Sequence, residues 1–398
     1  MSNIIDLKLF ELVEKIKKKE ITSKEVTKAF IDRSQKSKKL NSYITENFEN
    51  ALQKAKQFDE KPDFNKKLSG IPLAVKDLFC TKNIRTTAGS KILENFIPTY
   101  ESTVTQNILN EGGITIGKLN CDEFAMGSSN ETSFFGNVQN PISENLVPGG
   151  SSGGSSSALA AKLTPATIGT DTGGSIRQPA SFTGTVGLKP TYGSCSRYGI
   201  VAFASSLDQA GPMTQNVKDC ALMLEVISSY DNKDSTSVDF KRGQYLKDLN
   251  ENIKGKKIGI PKQYRVDGMP KEIDELWKKG MKIIEDNGGE IIEINLPNTN
   301  YALPTYYIVA PAEASSNLAR YDGVKYGFRS KGENLIDMYE KTRSEGFGDE
   351  VKRRIMIGTY VLSSGYYDAY YLKAQKVRRL IKNDFDEAYK KVDAILTP

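Results

Sequence analysis

Three residues of this 398-residue chain have the types and spacing that nucleophilic chemistry needs: Lys76, Ser151 and Ser175. The sequence contains no histidine, which excludes a Ser-His-Asp triad, a Cys-His pair and histidine-ligated zinc. If the protein is an enzyme, its base must therefore be a lysine, a carboxylate, a tyrosine or a cysteine.

Lys76 follows the apolar residues 71–75, which are predicted to form a buried strand. Two interpretations of a lysine at this position are open. Its amine could reach the surface along an apolar stem. Alternatively, it could be buried, where desolvation lowers the pKa enough to leave a neutral amine as base.

Ser151 lies in a segment of glycine and serine that follows Pro148 and extends to Ser157. Composition alone is typical of a flexible linker, but the segment leads directly into a small-residue helix predicted over 155–162. Glycines here would allow the backbone to come close to a reacting centre. A phosphate-binding loop is disfavoured, because no Gly-Lys-Ser/Thr sequence ends the segment.

Ser175 ends the Thr-Gly-Gly-Ser turn of residues 172–175, between a predicted strand and a predicted helix. Successive backbone N–H groups in such a turn could bind the oxyanion of a tetrahedral intermediate. Asp171 and Arg177 flank the turn with opposite charges. We expect them to hold the loop in place, with a simple surface pair as the alternative.

The elements that position these residues are predicted from hydrophobic periodicity. Residues 1–60 are predicted to be helical and to pack on the core, with a capping box from Thr22 to Glu25. Residues 61–398 are predicted to form one α/β domain, with buried strands at 71–75, 114–116 and 166–168. A further β-α-β series over 257–296 indicates an extra layer of the same sheet or a subsidiary lobe, and residues 394–398 resemble a buried strand.

Composition narrows the class of protein. The net charge of +6 fits either solvated lysines or an acidic partner such as tRNA. The four cysteines have no metal-ligand spacing and are predicted to be reduced and buried. The sequence has neither a long apolar run nor a secretory leader. We expect no membrane association and a cytoplasmic or organellar-matrix location.

Lys76, Ser151 and Ser175, with the glycine- and serine-rich segment, together resemble the amidase signature family over most of the chain. The resemblance implies the amidase signature fold, a large mixed, mostly parallel β-sheet covered by helices on both faces. It implies a Ser-cisSer-Lys triad, in which Lys76 takes a proton from Ser151 and Ser151 takes one from Ser175. It also implies an oxyanion hole formed by the backbone N–H groups of Thr172, Gly173 and Gly174.

Within that family the sequence is most similar to the glutamine-hydrolysing A subunits of tRNA-dependent glutamyl/aspartyl amidotransferases. The similar segments are residues 122–129, 305–307, 313–323, 350–354 and 363–371. The resemblance implies a heterotrimer with B and C subunits, in which ammonia from glutamine amidates misacylated Glu-tRNA(Gln) or Asp-tRNA(Asn). It implies no cofactor or metal in this chain, and ATP and Mg²⁺ on the B subunit.

The same resemblance implies a glutamine pocket. Arg354 would bind the α-carboxylate of glutamine, although on its own it could belong to a basic helical face. Tyr306 and Tyr307 would line the pocket, and Met126 and Ser128 would lie on a loop near the triad. In the family, the carboxylate that holds the amino group lies farther downstream, so the C-terminus is expected to be incomplete relative to the family.

Two other functions stay open. A stand-alone amidase for small or aryl amides would need a pocket dominated by apolar residues. A catalytically silent scaffold would keep the fold without the activity.

Overall fold

A computed structural model of the protein describes residues 3–239, 243–249, 252–325 and 327–398. The chain divides into two compact units. The first comprises Met1–Lys247 and Glu313–Met356, and the second comprises Asp248–Ala312 and Ile357–Pro398. Within the described ranges, no helix is both long enough and apolar enough to cross a membrane.

The first unit contains most of the regular elements. Its helices are α1 (Leu9–Lys17), α2 (Ser23–Lys36), α3 (Phe48–Glu60), α4 (Thr103–Asn110), α5 (Gly153–Ala160), α6 (Arg177–Thr183), α7 (Val217–Ile227) and α11 (Leu335–Gly346). Its strands are β1 (Tyr43–Glu46), β2 (Pro72–Lys76), β3 (Ile114–Leu119), β4 (Ala166–Asp171), β5 (Val186–Gly187) and β6 (Gln209–Thr214). Short 3-10 helices include Lys91–Leu93 and Glu123–Ala125. Three helices have residues in both units: α8 (Tyr245–Asp248), α10 (Ala302–Leu318) and α12 (Asp349–Val361).

The strands of the first unit form a six-stranded sheet in the order β1-β3-β2-β4-β6-β5. Strand β2 pairs in parallel with β3 and β4, whereas the pairings of β1 with β3, β4 with β6 and β5 with β6 are antiparallel. Strands β3, β2, β4 and β5 therefore run in the same direction, which confirms the predicted mixed, mostly parallel sheet. Strands β2 and β4 are buried along their whole length, as their nearly continuous apolar sequences predict.

Helices cover both faces of this sheet, because alternate residues of a strand point to opposite sides. On β4, Ile168 joins the large apolar core that also contains residues of α1, α2, α3, α4 and α7. Its neighbours face α5 instead: the Thr167 hydroxyl donates to the Ser155 carbonyl, and a Cβ added to Gly169 would lie 2.8 Å from Ser152 Oγ. The catalytic candidates on the glycine- and serine-rich segment thus pack against the second face.

Residues 1–60 form the predicted helices and also one strand that the sequence did not predict. The capping box is confirmed: the Thr22 side chain accepts a hydrogen bond from the Glu25 N–H, and the Glu25 carboxylate accepts one from the Thr22 N–H. Strand β1 pairs with β3 at the edge of the sheet. Its four residues are too few to show a strand period, and only the distant partner strand makes them extended.

The second unit has its own elements: β7 (Lys257–Pro261), α9 (Lys271–Asp286), β8 (Glu290–Ile294), the π-helical turn Tyr367–Leu372, α13 (Lys373–Ala388) and β9 (Ala394–Ile395). Its strands form a separate three-stranded sheet in the order β8-β7-β9, with both pairings parallel. Of the two interpretations of the β-α-β series, the structure therefore supports a subsidiary lobe. Residues 394–398 contribute a strand, as predicted.

A buried ion pair lies within the first unit beside the end of β2. Lys118 Nζ lies 3.2 Å from Asp77 Oδ1, and both side chains are fully buried. Lys118 also donates to the Phe79 carbonyl at 2.7 Å and to the Thr86 hydroxyl at 2.6 Å. Burial raises the pKa of Asp77, and the Lys118 ammonium opposes that rise. Removing one partner would leave an uncompensated charge in the core.

We predict that Lys118→Met lowers the free energy of unfolding by about 3–5 kcal/mol, because Asp77 is then buried without its cation. Urea denaturation measures this change. The matched control is Lys28→Met, which breaks the exposed pair with Asp32 and should change the free energy by less than about 1 kcal/mol. Equal effects of the two substitutions would contradict a structural role for the buried pair.

Candidate active site

The candidate base lies at the end of a central strand. Lys76 is the last residue of β2, and Thr170 and Asp171 end the neighbouring parallel strand β4. Parallel strands place their carboxyl ends at one edge of a sheet, so polar groups at these ends converge. Lys76 is fully buried, and the interpretation in which its amine reaches the surface is therefore wrong.

Hydroxyl groups surround the Lys76 amine. Nζ lies 2.7 Å from Ser151 Oγ, 3.0 Å from Ser152 Oγ and 2.8 Å from Thr170 Oγ1. A neutral amine suits this environment, because it can donate two hydrogen bonds and accept the third from Ser151. Lys118, by contrast, has a carboxylate partner, so the two buried lysines occupy different electrostatic environments.

Burial sets the protonation of Lys76. Desolvation lowers the pKa of its amine to about 8, even though the nearby Cys121, Asp122, Asp171 and Asp208 act in the opposite direction. A substantial fraction of the amine is therefore uncharged near neutral pH. A group poised in this way can accept a proton from Ser151.

Ser151 is placed by its own segment and by the start of α5. The Gly150–Ser151 peptide bond is cis, as the family resemblance implied. The next residue ties this segment to the candidate nucleophile, because the Ser152 N–H donates to the Ser175 carbonyl at 3.1 Å. Ser152 Oγ also donates to the Thr170 carbonyl at 3.2 Å. The structure thus brings Lys76 and Ser151 into direct contact and places the Ser175 backbone beside them.

The turn that carries Ser175 is held by one carboxylate. Asp171 accepts hydrogen bonds from the backbone N–H groups of Gly174, Ile176 and Arg177. The Arg177 guanidinium adds two bonds to the same carboxylate, both of 2.9 Å. Burial would raise the pKa of Asp171, but the bonds from Arg177 and the backbone hold it below its usual value. The carboxylate stays ionised and fixes the turn.

The N–H groups available for an oxyanion differ from the prediction at one position. The Gly174 N–H donates to Asp171 Oδ1 at 2.8 Å and is therefore engaged in this structure. The backbone N–H groups of Thr172, Gly173 and Ser175 have no acceptor among the described residues. Ser175 itself is 7% exposed, so a small ligand can reach its hydroxyl.

Asp208 links the nucleophile's turn to a neighbouring loop. Its carboxylate accepts bonds from the Thr172 hydroxyl at 2.7 Å and from the Phe203 N–H at 2.8 Å. Burial raises the pKa of Asp208 to about 6, against the effect of these hydrogen bonds. The aromatic ring of Phe203 in turn lies 5.5 Å from the guanidinium of Arg354. Arg354 is thus connected to Thr172 through two intermediate residues.

Arg354 is a largely buried residue of α12, 8% exposed. Its Nε donates to Glu350 Oε1 at 2.8 Å. This burial argues against the alternative in which Arg354 is one member of an exposed basic helical face. Tyr306 and Tyr307 lie in the second unit, where their rings contact each other at 5.2 Å.

The loop that carries Met126 and Ser128 packs against the residue before Ser151. A Cβ added to Gly150 would lie 3.0 Å from the Ser128 carbonyl carbon and 2.1 Å from Asp122 Oδ2. Met126 is fully buried and Ser128 is exposed. The structure therefore places this loop next to the triad's middle residue.

Sequence reasoning missed Ser152, Thr170 and Asp208. Ser152 and Thr170 complete the hydrogen bonding of the lysine amine, and Asp208 joins two loops that are distant in sequence. The only sequence signals were the position of Ser152 beside Ser151 and that of Thr170 near the end of a buried strand. All four cysteines are buried thiols, as predicted. Over the described ranges, no three metal-binding side chains are grouped to hold an ion.

Comparison with known proteins agrees with this geometry. A family model described as Amidase matches residues 25–398. The A subunit of the glutamyl-tRNA(Gln) amidotransferase of Pelagibacter ubique is 81% identical over 398 residues, which cover 100% of this chain and 82% of that protein. The protein of the same name from Zymomonas mobilis is 59% identical over 407 residues, which cover 100% of this chain and 83% of that protein.

A solved structure shows the same fold. The crystal structure of the A subunit of glutamyl-tRNA(Gln) amidotransferase from Thermotoga maritima superimposes with a TM-score of 0.81 at 38% sequence identity. The match covers 100% of this chain and 80% of that one. These similarities confirm the resemblance that the sequence motifs indicated.

We predict that Ser175 reacts with a fluorophosphonate probe at a rate set by the neutral fraction of Lys76. With a pKa of about 8, the rate should rise about tenfold from pH 6 to 7 and level off above pH 8. Labelling kinetics followed by mass spectrometry measure this profile. Lys76→Met should react slowly with no inflection near pH 8. A wild-type inflection near 10.5, the ordinary value for lysine, would contradict a desolvated base.

Proposed function

The chain belongs to the amidase family, and from this premise we propose that it is the glutamine-hydrolysing subunit of a tRNA-dependent amidotransferase. In this proposal Ser175 is the nucleophile, Ser151 relays protons and Lys76 is the base. The observation that carries the proposal is the contact of 2.7 Å between the buried Lys76 amine and the Ser151 hydroxyl. A chain without histidine has no other side chain in this position that could serve as a base.

The reaction proceeds through an acyl-enzyme. Ser175 Oγ attacks the side-chain carbonyl carbon of glutamine while its proton passes to Ser151, and the Ser151 proton passes to Lys76. The tetrahedral intermediate collapses when the C–N bond breaks, and the relay returns a proton to the departing nitrogen, which leaves as ammonia. Water then adds to the ester and the relay runs again, which releases glutamate and restores Ser175.

The developing oxyanion is stabilised by backbone N–H groups of the turn at residues 172–175. Thr172 and Gly173 keep the role implied by the resemblance. Ser175 N–H takes the place of the Gly174 donor, because Gly174 binds Asp171. Asp171 and Arg177 hold the turn in the shape that presents these donors.

Glutamine recognition rests on its charged α-carboxylate. Arg354 is buried against Phe203, and its planar guanidinium suits a bidentate carboxylate. The chain of contacts through Phe203 and Asp208 to Thr172 supports a position near the nucleophile. A stand-alone amidase for apolar amides has no evident use for a buried arginine of this kind.

The remaining pocket residues rest on the family resemblance. Met126 and Ser128 belong to the loop that packs against Gly150, which supports their place beside the triad. Tyr306 and Tyr307 keep the pocket-lining role that the resemblance implies.

The proposal extends to the assembly. The chain acts with B and C subunits in a cytoplasmic heterotrimer, because its relatives carry the names of A subunits of such an enzyme. ATP and Mg²⁺ bind the B subunit, which activates misacylated Glu-tRNA(Gln) or Asp-tRNA(Asn) and receives the ammonia. No cofactor is required by the chemistry assigned to this chain.

We predict that Ser175→Ala lowers glutamine-dependent ammonia release by the assembled complex more than about 10³-fold, because the acyl-enzyme can no longer form. The matched control is Ser155→Ala in the neighbouring segment. The Ser155 hydroxyl is buried without a hydrogen-bond partner in the described structure, so its loss should leave the rate within about twofold.

The same variants separate the alternatives. Retained ammonia release in Ser175→Ala would contradict the assignment of the nucleophile. A wild-type complex that releases no ammonia would favour a silent scaffold. Rapid hydrolysis of apolar amides by the isolated chain, with no effect of partner subunits, would favour a stand-alone amidase.

A further inference from the structure

We propose that Glu123 is a positioning residue for glutamine binding, because it fixes the start of the helix that carries Arg354. This inference rests on the proposed function only in taking Arg354 as the ligand of the α-carboxylate. Glu123 does not touch the triad, and its contribution is to join two parts of the site that are far apart in sequence.

Glu123 is a buried carboxylate, 2% exposed. It accepts a hydrogen bond from the Ser90 hydroxyl and one of 2.8 Å from the Gly348 N–H. Gly348 precedes the first residue of α12. A Cβ added to Gly348 would lie only 2.5 Å from Glu123 Oε2, so the absence of a side chain there allows the carboxylate to reach the backbone.

The contact with Gly348 acts on Arg354 through the first turns of α12. The Lys352 N–H donates to the Gly348 carbonyl at 3.0 Å, so the helical hydrogen bonding begins at the anchored residue. Arg354 lies less than two turns farther along the helix. A carboxylate at this end also interacts favourably with the helix dipole. Anchoring Gly348 therefore limits how far the first turns of α12 can slide or rotate.

The residue before Glu123 contacts the catalytic segment. The Asp122 N–H donates to the Ser151 carbonyl at 3.3 Å. The Asp122 carboxylate accepts the Asn130 N–H at 3.0 Å and lies against Gly150. The short helix Glu123–Ala125 thus touches the Ser151 segment through Asp122 and the start of α12 through Glu123.

Aromatic packing supports the same junction. The ring of Phe124 lies 5.7 Å from that of Phe347 and 5.1 Å from that of Tyr321. These contacts stabilise the approach of the two segments but are not directional. The hydrogen bond from Gly348 to Glu123 supplies the direction, and its loss should affect position more than folding.

The test measures glutamine affinity separately from catalysis, in the assembled complex. In a Ser175→Ala background, calorimetry gives the dissociation constant of glutamine. Glu123→Ala and Gly348→Ala should each weaken binding about tenfold, the effect expected for losing a hydrogen bond to a charged group. With Ser175 intact, KM should rise to a similar extent, while kcat stays within about threefold.

Two variants show whether the role is specific. Glu123→Gln keeps an oxygen that can accept the Gly348 N–H and should restore binding to within about threefold of wild type. Asp219→Ala removes another buried carboxylate, which accepts the Leu9 and Phe10 N–H groups at the start of α1. It should cost stability without changing glutamine affinity.

Arg354→Met completes the experiment. If Glu123 acts through Arg354, the Glu123→Ala/Arg354→Met double variant should bind glutamine no more weakly than Arg354→Met alone. Multiplicative effects would overturn the inference, as would an equal loss of affinity in Asp219→Ala. If Arg354→Met binds glutamine normally, the inference also fails, whereas the proposed function is judged separately by ammonia release in Ser175→Ala.

Discussion

The contact between a buried amine and three hydroxyl groups is the constraint on which the site depends. The Lys76 amine has no carboxylate partner in its hydrogen bonding, and burial lowers its pKa to about 8. Water in its place would restore the charged form, so β2 and β4 must keep the end of the strand dry. The glycines of the next segment are needed for the same reason, since a Cβ at Gly150 or Gly169 would displace neighbouring atoms.

Around that amine, carboxylates serve mainly to hold backbone. Asp171 binds three N–H groups of the nucleophile's turn, and Asp208 joins the Thr172 hydroxyl to the backbone of Phe203. Glu123 binds the backbone before α12. Each buried carboxylate is satisfied by several donors, which is the condition under which buried charge is tolerated. Catalysis on loops becomes possible because these anchors make the loops as rigid as the strands beside them.

Sequence patterns were most informative where one segment carries its own signal. The apolar residues before Lys76 and the glycine-serine segment before α5 each predicted their elements and their closeness to chemistry. Strand β1 was missed because four residues become extended only through pairing with β3. Ser152 and Thr170 were missed because their importance depends on which strand ends lie side by side. The engagement of Gly174 with Asp171 depends on how one turn folds back.

The amino-acid sequence by itself determined the chemistry: a chain without histidine, in which a lysine and two serines stand in segments that resemble the amidase signature. It also determined the α/β class, because hydrophobic periodicity is a local property. Only the tertiary structure decided the protonation of Lys76, since burial and neighbouring dipoles come from every element that packs around β2. It also decided which N–H groups are free for an oxyanion and how Arg354 is connected to Thr172, because hydrogen bonds between distant segments leave no periodic trace in the sequence.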